Sequence, residues 1–316
     1  MDALIVMLKN VIVFVLLAVP GLVLVKTKTL KSEQSAILSK TLLYVGLPFL
    51  ILDSMLDISF TTELLKLILV SAAIGLGFSL LCFALSAPFT KGEQDEKTRG
   101  IIRFCSIFAN NGFLGIPLAK AVFPTQPLVL TGLVIIGVIT NALMYTLGVY
   151  IISGDKSRMS LKKAFINPVL IAFALGLLLN LLGVKNAVPE ISTYAKYLGN
   201  IVTPLCMIIL GMKMGEVQFK PLFTSKKMYI VALFKLIIVP AFALALAYLS
   251  SVIFHLGADV VLAVFIAFGM PTATLSTTFA DNFGGDWKNA VNYTLGTTVL
   301  SIVTIPIIYA VLLAIL

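Results

Sequence analysis

Two stretches decide the fold of this chain: Phe108-Ala-Asn-Asn-Gly-Phe-Leu-Gly-Ile-Pro117 and Gly269-Met-Pro-Thr-Ala-Thr-Leu-Ser-Thr-Thr278. Each lies in the middle of an apolar run, and each places Gly, Pro and uncharged polar residues where a membrane helix would carry Leu or Val. Because a bilayer core offers no water to a loosened backbone, a broken helix at that depth must be buried in protein or line a wet cavity. Two such breaks about half a chain apart are typical of the binding site of a transporter.

The composition indicates an integral membrane protein. Of 316 residues, 59% are hydrophobic and 12% are charged, with a mean hydropathy of +1.08, whereas soluble domains carry roughly 25% charged residues. The net charge of +9 does not indicate nucleic-acid binding, because no soluble segment is present to carry such a site. The three cysteines lack the spacing of a disulfide framework or a metal site. We expect no enzyme activity, no cofactor and no metal.

The apolar runs predict an all-α polytopic membrane protein with ten transmembrane helices, since each run has about the 20 residues needed to cross the hydrocarbon core. The predicted spans 1 to 10 are residues 3–25, 35–56, 64–87, 98–122, 127–152, 163–183, 192–214, 227–250, 257–281 and 288–315. Most Lys and Arg residues follow spans 1, 3, 5 and 7, as Lys26, Lys91, Lys156 and Lys213 do. Cytoplasmic loops carry the excess of basic residues, so both termini are expected on the outer face of the cell membrane.

Three short matches relate the two halves of the chain at a similar offset. The matched pairs are Tyr145-Thr-Leu-Gly148 with Tyr293-Thr-Leu-Gly296, Pro48 with Pro204, and Pro117 with Pro271. Each half holds five helices, an odd number, so the second half must be inverted in the membrane, as in alternating-access carriers. We therefore predict a 5+5 inverted repeat, with residues 1–155 as the first unit and residues 160–316 as the second.

The break in span 4 is the first part of the candidate site. Asn110 and Asn111 lie about midway through the span, and Gly112 and Gly115 loosen the helix after them. Because proline lacks an N–H and clashes with the preceding turn, the second half of the span is expected to begin near Ile116 and Pro117. A helix N-terminus exposes free N–H groups and about half a positive charge, which together bind anions. The alternative, that the asparagines only join neighbouring helices by hydrogen bonds, stays open.

The break in span 9 is the second part. Pro271 is expected in the first turn of the second half-helix, with Thr272 and Thr274 facing the break. Two half-helix N-termini meeting from opposite directions would focus positive potential on one spot. Ser and Thr in membrane helices also bond back to their own backbone, which remains the alternative for these side chains.

The first stretch, Asn110 to Pro117, resembles the Asn-x4-Gly-x-Pro crossover of the auxin efflux carrier family, whose members include bacterial and plant carriers. The resemblance covers essentially the whole chain. Its further matches are Tyr145-Thr-Leu, Asn167-Pro168, Gly199-Asn200, Pro271 and Phe279-Ala280. One departure is Asp281, which stands where the plant carriers have a basic residue.

What the resemblance implies is a ten-helix fold in which spans 4 and 9 cross at their breaks. Spans 1, 2, 6 and 7 would form a scaffold, which could pair as a homodimer, and spans 3–5 and 8–10 would form a moving transport bundle. The family moves organic anions such as auxin or malate-like carboxylates, and by match Asn110 would contact the substrate carboxylate. The resulting set of expected substrate-binding residues is Asn110, Asn111, Gly115, Pro117, Tyr145, Asn200, Pro271, Thr272 and Thr274.

Charged residues within or beside the spans are candidates for ion or proton coupling. They are Glu63, Lys235 and Asp281. A charge at membrane depth is costly and indicates function, although Lys235 could instead extend to the cytoplasmic interface. Asp53 and Asp57 are expected to be solvated on the outer side.

The sequence thus predicts a secondary carrier for a small organic anion in the lipid bilayer, driven by a gradient or passive because no nucleotide-binding domain is present. One alternative is a sodium-coupled symporter of the distantly related bile-acid type. Another is a membrane sensor that binds a ligand without net flux.

Overall fold

The computed structural model describes residues 2–160, 162, 166–215, 224–255 and 257–315. Helices form almost all of this part of the chain. Their bounds are α1 Asp2–Lys26, α2 Ser32–Leu56, α3 Thr62–Phe89, α4 Glu96–Ile107, α5 Ile116–Val122, α6 Pro127–Ser153, α7 Pro168–Leu181, α8 Glu190–Gly199, α9 Val202–Gly215, α10 Lys226–Phe254, α11 Ala258–Gly269, α12 Leu275–Phe283 and α13 Trp287–Ile315. A wide helical turn, Asn111–Gly115, leads directly into α5. Span 4 of the sequence corresponds to α4 and α5, span 7 to α8 and α9, and span 9 to α11 and α12.

The chain is an all-helical, multi-pass membrane protein, as predicted. Within its described residues, seven helices are long and apolar enough to cross a membrane, and the apolar helices Pro168–Leu181 and Ala258–Gly269 are shorter. Spans 4 and 9 are absent from the seven because each is broken into pieces that are too short to cross alone. The layout of ten spans in an inverted repeat stays a prediction.

Helix α11 lies at the centre of the structure. Every residue from Val260 to Gly269 is buried, and the Phe268 ring packs edge-on against Phe78 of α3, with ring centroids 4.8 Å apart. A helix that is apolar on all sides is stable when other helices surround it. Here α3, α6, α10 and α13 surround α11, and they fix the position at which its carboxyl end meets α4.

Helices α1 and α9 pack with their backbones in direct contact. A Cβ atom added at Gly211 would lie 1.8 Å from the carbonyl oxygen of Ala18, and one added at Gly21 would lie 2.0 Å from that of Ile208. Small residues allow this approach, which membrane helices use because apolar burial alone does not drive their association. The glycines therefore allow α1 and α9 to pack at close range.

We expect the substitution Gly211→Val to separate these two helices, because its side chain would overlap the α1 backbone. Overpacking of this kind costs roughly 1–3 kcal/mol, which a lower melting temperature of the purified protein in detergent would report. Gly77→Val is the matched control, since an added Cβ at the exposed Gly77 meets no atom within 4 Å. Equal melting temperatures for the two variants would contradict the assigned contact.

Candidate functional site

The two broken stretches meet and pair through their backbones. Ala109 and Thr272 form an antiparallel bridge. The Asn110 N–H donates to the carbonyl of Pro271 over 2.8 Å, and the Ala273 N–H donates to the carbonyl of Phe108 over 2.9 Å. Each break thus supplies partners for polar groups that the other break has freed, as the interior of a membrane requires. We call this paired region, residues 108–110 with 270–274, the helix crossing.

The α-helical part of the second half of span 4 begins at Ile116 with Pro117 in its first turn, as expected, but the wide turn Asn111–Gly115 precedes it, so the half-helix as a whole begins at Asn111. The Asn110 side-chain oxygen accepts a hydrogen bond from the Phe113 N–H over 3.3 Å and caps the new helix. The turn that follows is wide, with the Ile116 N–H bonded to the carbonyl of Asn111. A proline after a widened turn removes no standard helical hydrogen bond, so Pro117 lies buried inside a continuous half-helix and marks no break.

Pro271 lies elsewhere than expected. Helix α11 ends at Gly269, α12 begins at Leu275, and Pro271 stands in the extended segment between them rather than in a first helical turn. It lacks an N–H to satisfy, and its carbonyl accepts the bond from Asn110. Pro117 and Pro271 therefore occupy different places in their spans, and this match between the halves does not join equivalent positions.

The two threonines of span 9 have different surroundings. Thr272 is fully buried, and its hydroxyl donates to the carbonyl of Cys105 over 2.8 Å, while its N–H donates to the hydroxyl of Thr297 over 3.2 Å. Thr272 therefore ties the end of α4 to α13 and does not border the cavities described next. Thr274 is half-buried and does border them.

Cavities adjoin the helix crossing. One of about 190 Å³, the upper cavity, is bordered by Asn110, Asn111, Tyr145 and Thr274. A small one of about 20 Å³ is also bordered by Asn110 and Thr274. The third, of about 520 Å³, again reaches Thr274, and we call it the vestibule. Asn110 and Thr274 are thus the polar side chains of the crossing that face open space in more than one direction.

The upper cavity also meets polar groups that have no partner in the described part of the chain. The side-chain oxygen of Asn111 is buried without a hydrogen bond. Gly112 and Leu275 border the same cavity, and outside the helices neither backbone N–H donates to a backbone carbonyl of a described residue. Buried polar groups are normally satisfied by protein, water or ligand. A molecule in this cavity that accepts hydrogen bonds could pair with the N–H groups at the starts of both second half-helices, whereas the Asn111 oxygen is an acceptor and needs a donor.

The remaining expected site residues lie at different distances from the cavities. Tyr145 borders the upper cavity, and its ring packs on Phe279 with centroids 5.0 Å apart. Gly115 is buried in packing, since an added Cβ would lie 3.4 Å from Ile266 and Met270. Asn200 is exposed at the turn between α8 and α9 and borders none of these cavities.

Two cavity-lining residues were missed at the sequence level. Asn141 borders the upper cavity, and its position as a polar residue in the middle of apolar span 5 could have indicated it. Lys213 borders both the small cavity and the vestibule, whereas its place near the end of span 7 suggested only a cytoplasmic lysine. Which face of a helix end meets a cleft depends on packing that the sequence does not display.

Of the candidate coupling residues, Lys235 alone lies at the crossing. Its side chain is fully buried and donates to the carbonyl of Ile107, the last residue of α4, over 3.4 Å. The carboxyl end of a helix carries about half a negative charge, which a cation offsets. Lys235 therefore does not extend to the membrane interface. Glu63 and Asp281 are exposed and border none of the cavities.

Asp53 is buried, so the expectation that it is solvated is wrong. It accepts a hydrogen bond from the Ser192 hydroxyl over 2.9 Å, and its carboxylate lies 3.9 Å from the Lys120 ammonium. The hydrogen bond joins α8 to α2, and the ion pair joins α2 to α5, which follows Asn110 in span 4. Asp57 is exposed and pairs with Lys185.

Comparison with known proteins agrees with the class that this site defines. Residues 5–309 match the family described as Membrane transport protein. The chain is 28% identical over 303 residues to an uncharacterized transporter of Methanothermobacter thermautotrophicus, covering 94% of this chain and 95% of that one. It is also 28% identical over 286 residues to an uncharacterized transporter of Methanocaldococcus jannaschii, covering 88% and 90%. The chain belongs to this family of membrane transporters, and the predicted membership in the auxin efflux carrier family is confirmed.

We expect Thr272→Val to destabilise the crossing, because it removes the donor to Cys105 and leaves a buried carbonyl unsatisfied. The cost should be roughly 1–3 kcal/mol, seen as a lower melting temperature in detergent. Thr277→Val is the matched control, since among the described residues the Thr277 hydroxyl bonds only to the carbonyl of Thr274, three residues earlier. If both variants melt at the same temperature, the crossing does not depend on Thr272.

Proposed function

We propose that this protein is a secondary active carrier that moves a small organic anion across the cell membrane by alternating access at the helix crossing. The observation that carries the proposal is the upper cavity at the starts of both second half-helices. Gly112 and Leu275, whose N–H groups donate to no described backbone carbonyl outside the helices, border it together with the polar residues Asn110 and Thr274. Helix N-termini favour negative charge, and a carboxylate can accept several hydrogen bonds at once.

The proposed architecture is the 5+5 inverted repeat, with units at residues 1–155 and 160–316. It is supported by two helix pairs that pack together, α1 with α9 and α2 with α7. They belong to spans 1 and 7 and to spans 2 and 6. Exchanging the two halves maps span 1 onto span 6 and span 7 onto span 2, so the first pair becomes the second. The packing of α3 against α6 and of α10 against α13 is related in the same way. Helices α1, α2 and α7–α9 would form the scaffold, and α3–α6 and α10–α13 the transport bundle.

The proposed orientation places both termini outside and the vestibule on the cytoplasmic side. Ser32, which borders the vestibule, lies in the basic loop after span 1, and Lys288, which also borders it, follows span 9; cytoplasmic loops carry the excess of basic residues. Asp53 and Lys120 lie near the carboxyl ends of α2 and α5, whereas Ser32, at the amino end of α2, borders the vestibule. Their ion pair joins scaffold to transport bundle, which fits an outer gate that is closed while the cytoplasmic side is open.

A sodium-coupled symporter is less well supported. A cation at the crossing would be attracted to the carboxyl end of α4, and the Lys235 ammonium already lies there against the carbonyl of Ile107. No group of three or more His, Cys, Asp and Glu side chains that could hold a metal ion occurs among the described residues. Uptake that does not change when sodium is replaced by choline would agree with the anion carrier.

The binding role of Asn110 is tested by uptake into proteoliposomes. A panel of labelled organic acids first identifies a transported substrate, and Asn110→Ala should then reduce its uptake at least about tenfold, because a charge-assisted hydrogen bond is lost. Asn110→Ser keeps a side chain that can cap the wide turn leading into α5 and separates capping from binding. Asn200→Ala, at an exposed position, is the control. Normal uptake by folded Asn110→Ala would refute the site, and saturable binding without flux in the wild type would indicate a sensor.

The outer gate is tested with the double variant Asp53→Cys, Lys120→Cys. Cross-linking the two thiols should hold scaffold and transport bundle together on that side and stop uptake, and reduction should restore it. Each single variant treated in the same way is the control, because Cys82, Cys105 and Cys206 are buried. Full uptake by the cross-linked protein would contradict a moving gate at this pair.

A further inference from the structure

Lys213 is a basic side chain inside the cleft between the scaffold helix α9 and the crossing. It is half-buried and borders the small cavity together with Asn110 and Thr274. It also borders the vestibule. One side chain thus reaches both the proposed entry path and the crossing itself. A cation in this position would meet an anion on its way to the crossing.

Five other basic residues near helix ends have carboxylate partners. Lys120, Lys185 and Lys227 each lie at ion-pair distance from a carboxylate, as do Arg99 and Arg158. No carboxylate among the described residues is that close to Lys213, not even Glu33, which borders the same vestibule. A charge shielded from water without a partner is unfavourable, so such charges are normally paired. The cleft therefore holds a positive charge that an entering anion can neutralise.

The second basic residue of the vestibule is Lys288, which is exposed and lies over the ring of Trp287, with its ammonium 5.8 Å from the ring centroid. The vestibule is bordered by two lysines and one glutamate, Glu33, so positive charge predominates there, and a positive cleft raises the local concentration of anions. Lys288 is at the open side of the vestibule and Lys213 at the side that adjoins the small cavity. Lys213 is thus the charge that a solute meets last before Asn110 and Thr274.

We propose that Lys213 is the residue that selects anions over neutral solutes in this carrier, by pairing with the acidic group of a solute that reaches the crossing from the vestibule. The inference rests on the proposed carrier function and assigns its charge selectivity to the scaffold. Lys213 is also in the last turn of α9, where a lysine stabilises the helix end. That role alone would affect the stability of the protein without distinguishing between ligands.

The test compares two acids with their uncharged amides: benzoate with benzamide and succinate with succinamide. Ligand-induced shifts of the melting temperature of the purified full chain are titrated for the wild type, Lys213→Met, Lys213→Arg and Lys26→Met. The exposed Lys26, at the end of α1, borders none of the three cavities and is the matched control for loss of a lysine. Uptake into proteoliposomes is measured for the same variants.

The wild type, Lys213→Arg and Lys26→Met should each be stabilised by at least one of the acids and not by its amide. Lys213→Met should need about ten- to a hundredfold more acid for the same shift, as expected for the loss of a charge-assisted contact. The contrary outcome is that Lys213→Met melts at a lower temperature by the same amount with every ligand and gives an acid titration like that of the wild type. That result would show that Lys213 has only a structural role, and it would overturn this inference without affecting the carrier proposal. If neither acid stabilises or is transported by the wild type, both the inference and the carrier proposal for this substrate class fail.

Discussion

The backbone pairing between residues 108–110 and 270–274 is the interaction on which the rest of this structure depends. Inside a membrane an unpaired amide has no water to turn to, so two interrupted helices are tolerated only where each interruption satisfies the other. The hydrogen bonds from Asn110 to Pro271 and from Ala273 to Phe108 do this. The pairing also fixes the four half-helices relative to one another, with the starts of two beside the same cavity.

The carboxyl end of α4 and the amino ends of the second half-helices differ in the charged groups that lie beside them. At the carboxyl end of α4, the protein supplies its own cation, because Lys235 is buried against the carbonyl of Ile107. At the amino ends of the second half-helices, the described residues that border the upper cavity are all neutral, Asn110 and Thr274 among them. A helix N-terminus attracts an anion. The crossing therefore offers a balanced negative end and an unbalanced positive one, which suits an anionic solute.

Packing differs between the parts of the molecule in a way that fits a carrier. Glycines bring the backbones of α1 and α9 into direct contact, and added side chains at Gly21 or Gly211 would overlap the partner helix. Between these helices and the crossing lie cavities instead, bordered by Lys213 on one side and Asn110 on the other. A close-packed body that faces a loosely packed cleft can let one part move against the other without disturbing either core.

The sequence by itself determined the environment, the class and the place of the breaks. Long apolar runs require helices in a bilayer, and Asn, Gly and Pro in the middle of two such runs require interruption there, since both facts follow from local composition. The same local reasoning missed the helical turn Asn111–Gly115 that precedes α5, and its placing of Pro271 in a first helical turn was wrong. Asn110 caps a helix that begins earlier in span 4, and Pro271 serves the pairing with a segment more than 150 residues away.

Only the tertiary structure decided which polar side chains face open space. Thr272 and Thr274 are two residues apart, yet one is tied to Cys105 and Thr297 and the other borders the cavities. In the same way, packing buries Asp53 beside Ser192, encloses Lys235 and turns Lys213 toward the crossing. The physical reason is the same for each of these residues. Burial and partners are set by helices distant in sequence, and hydropathy along the chain carries no information about which helices those are.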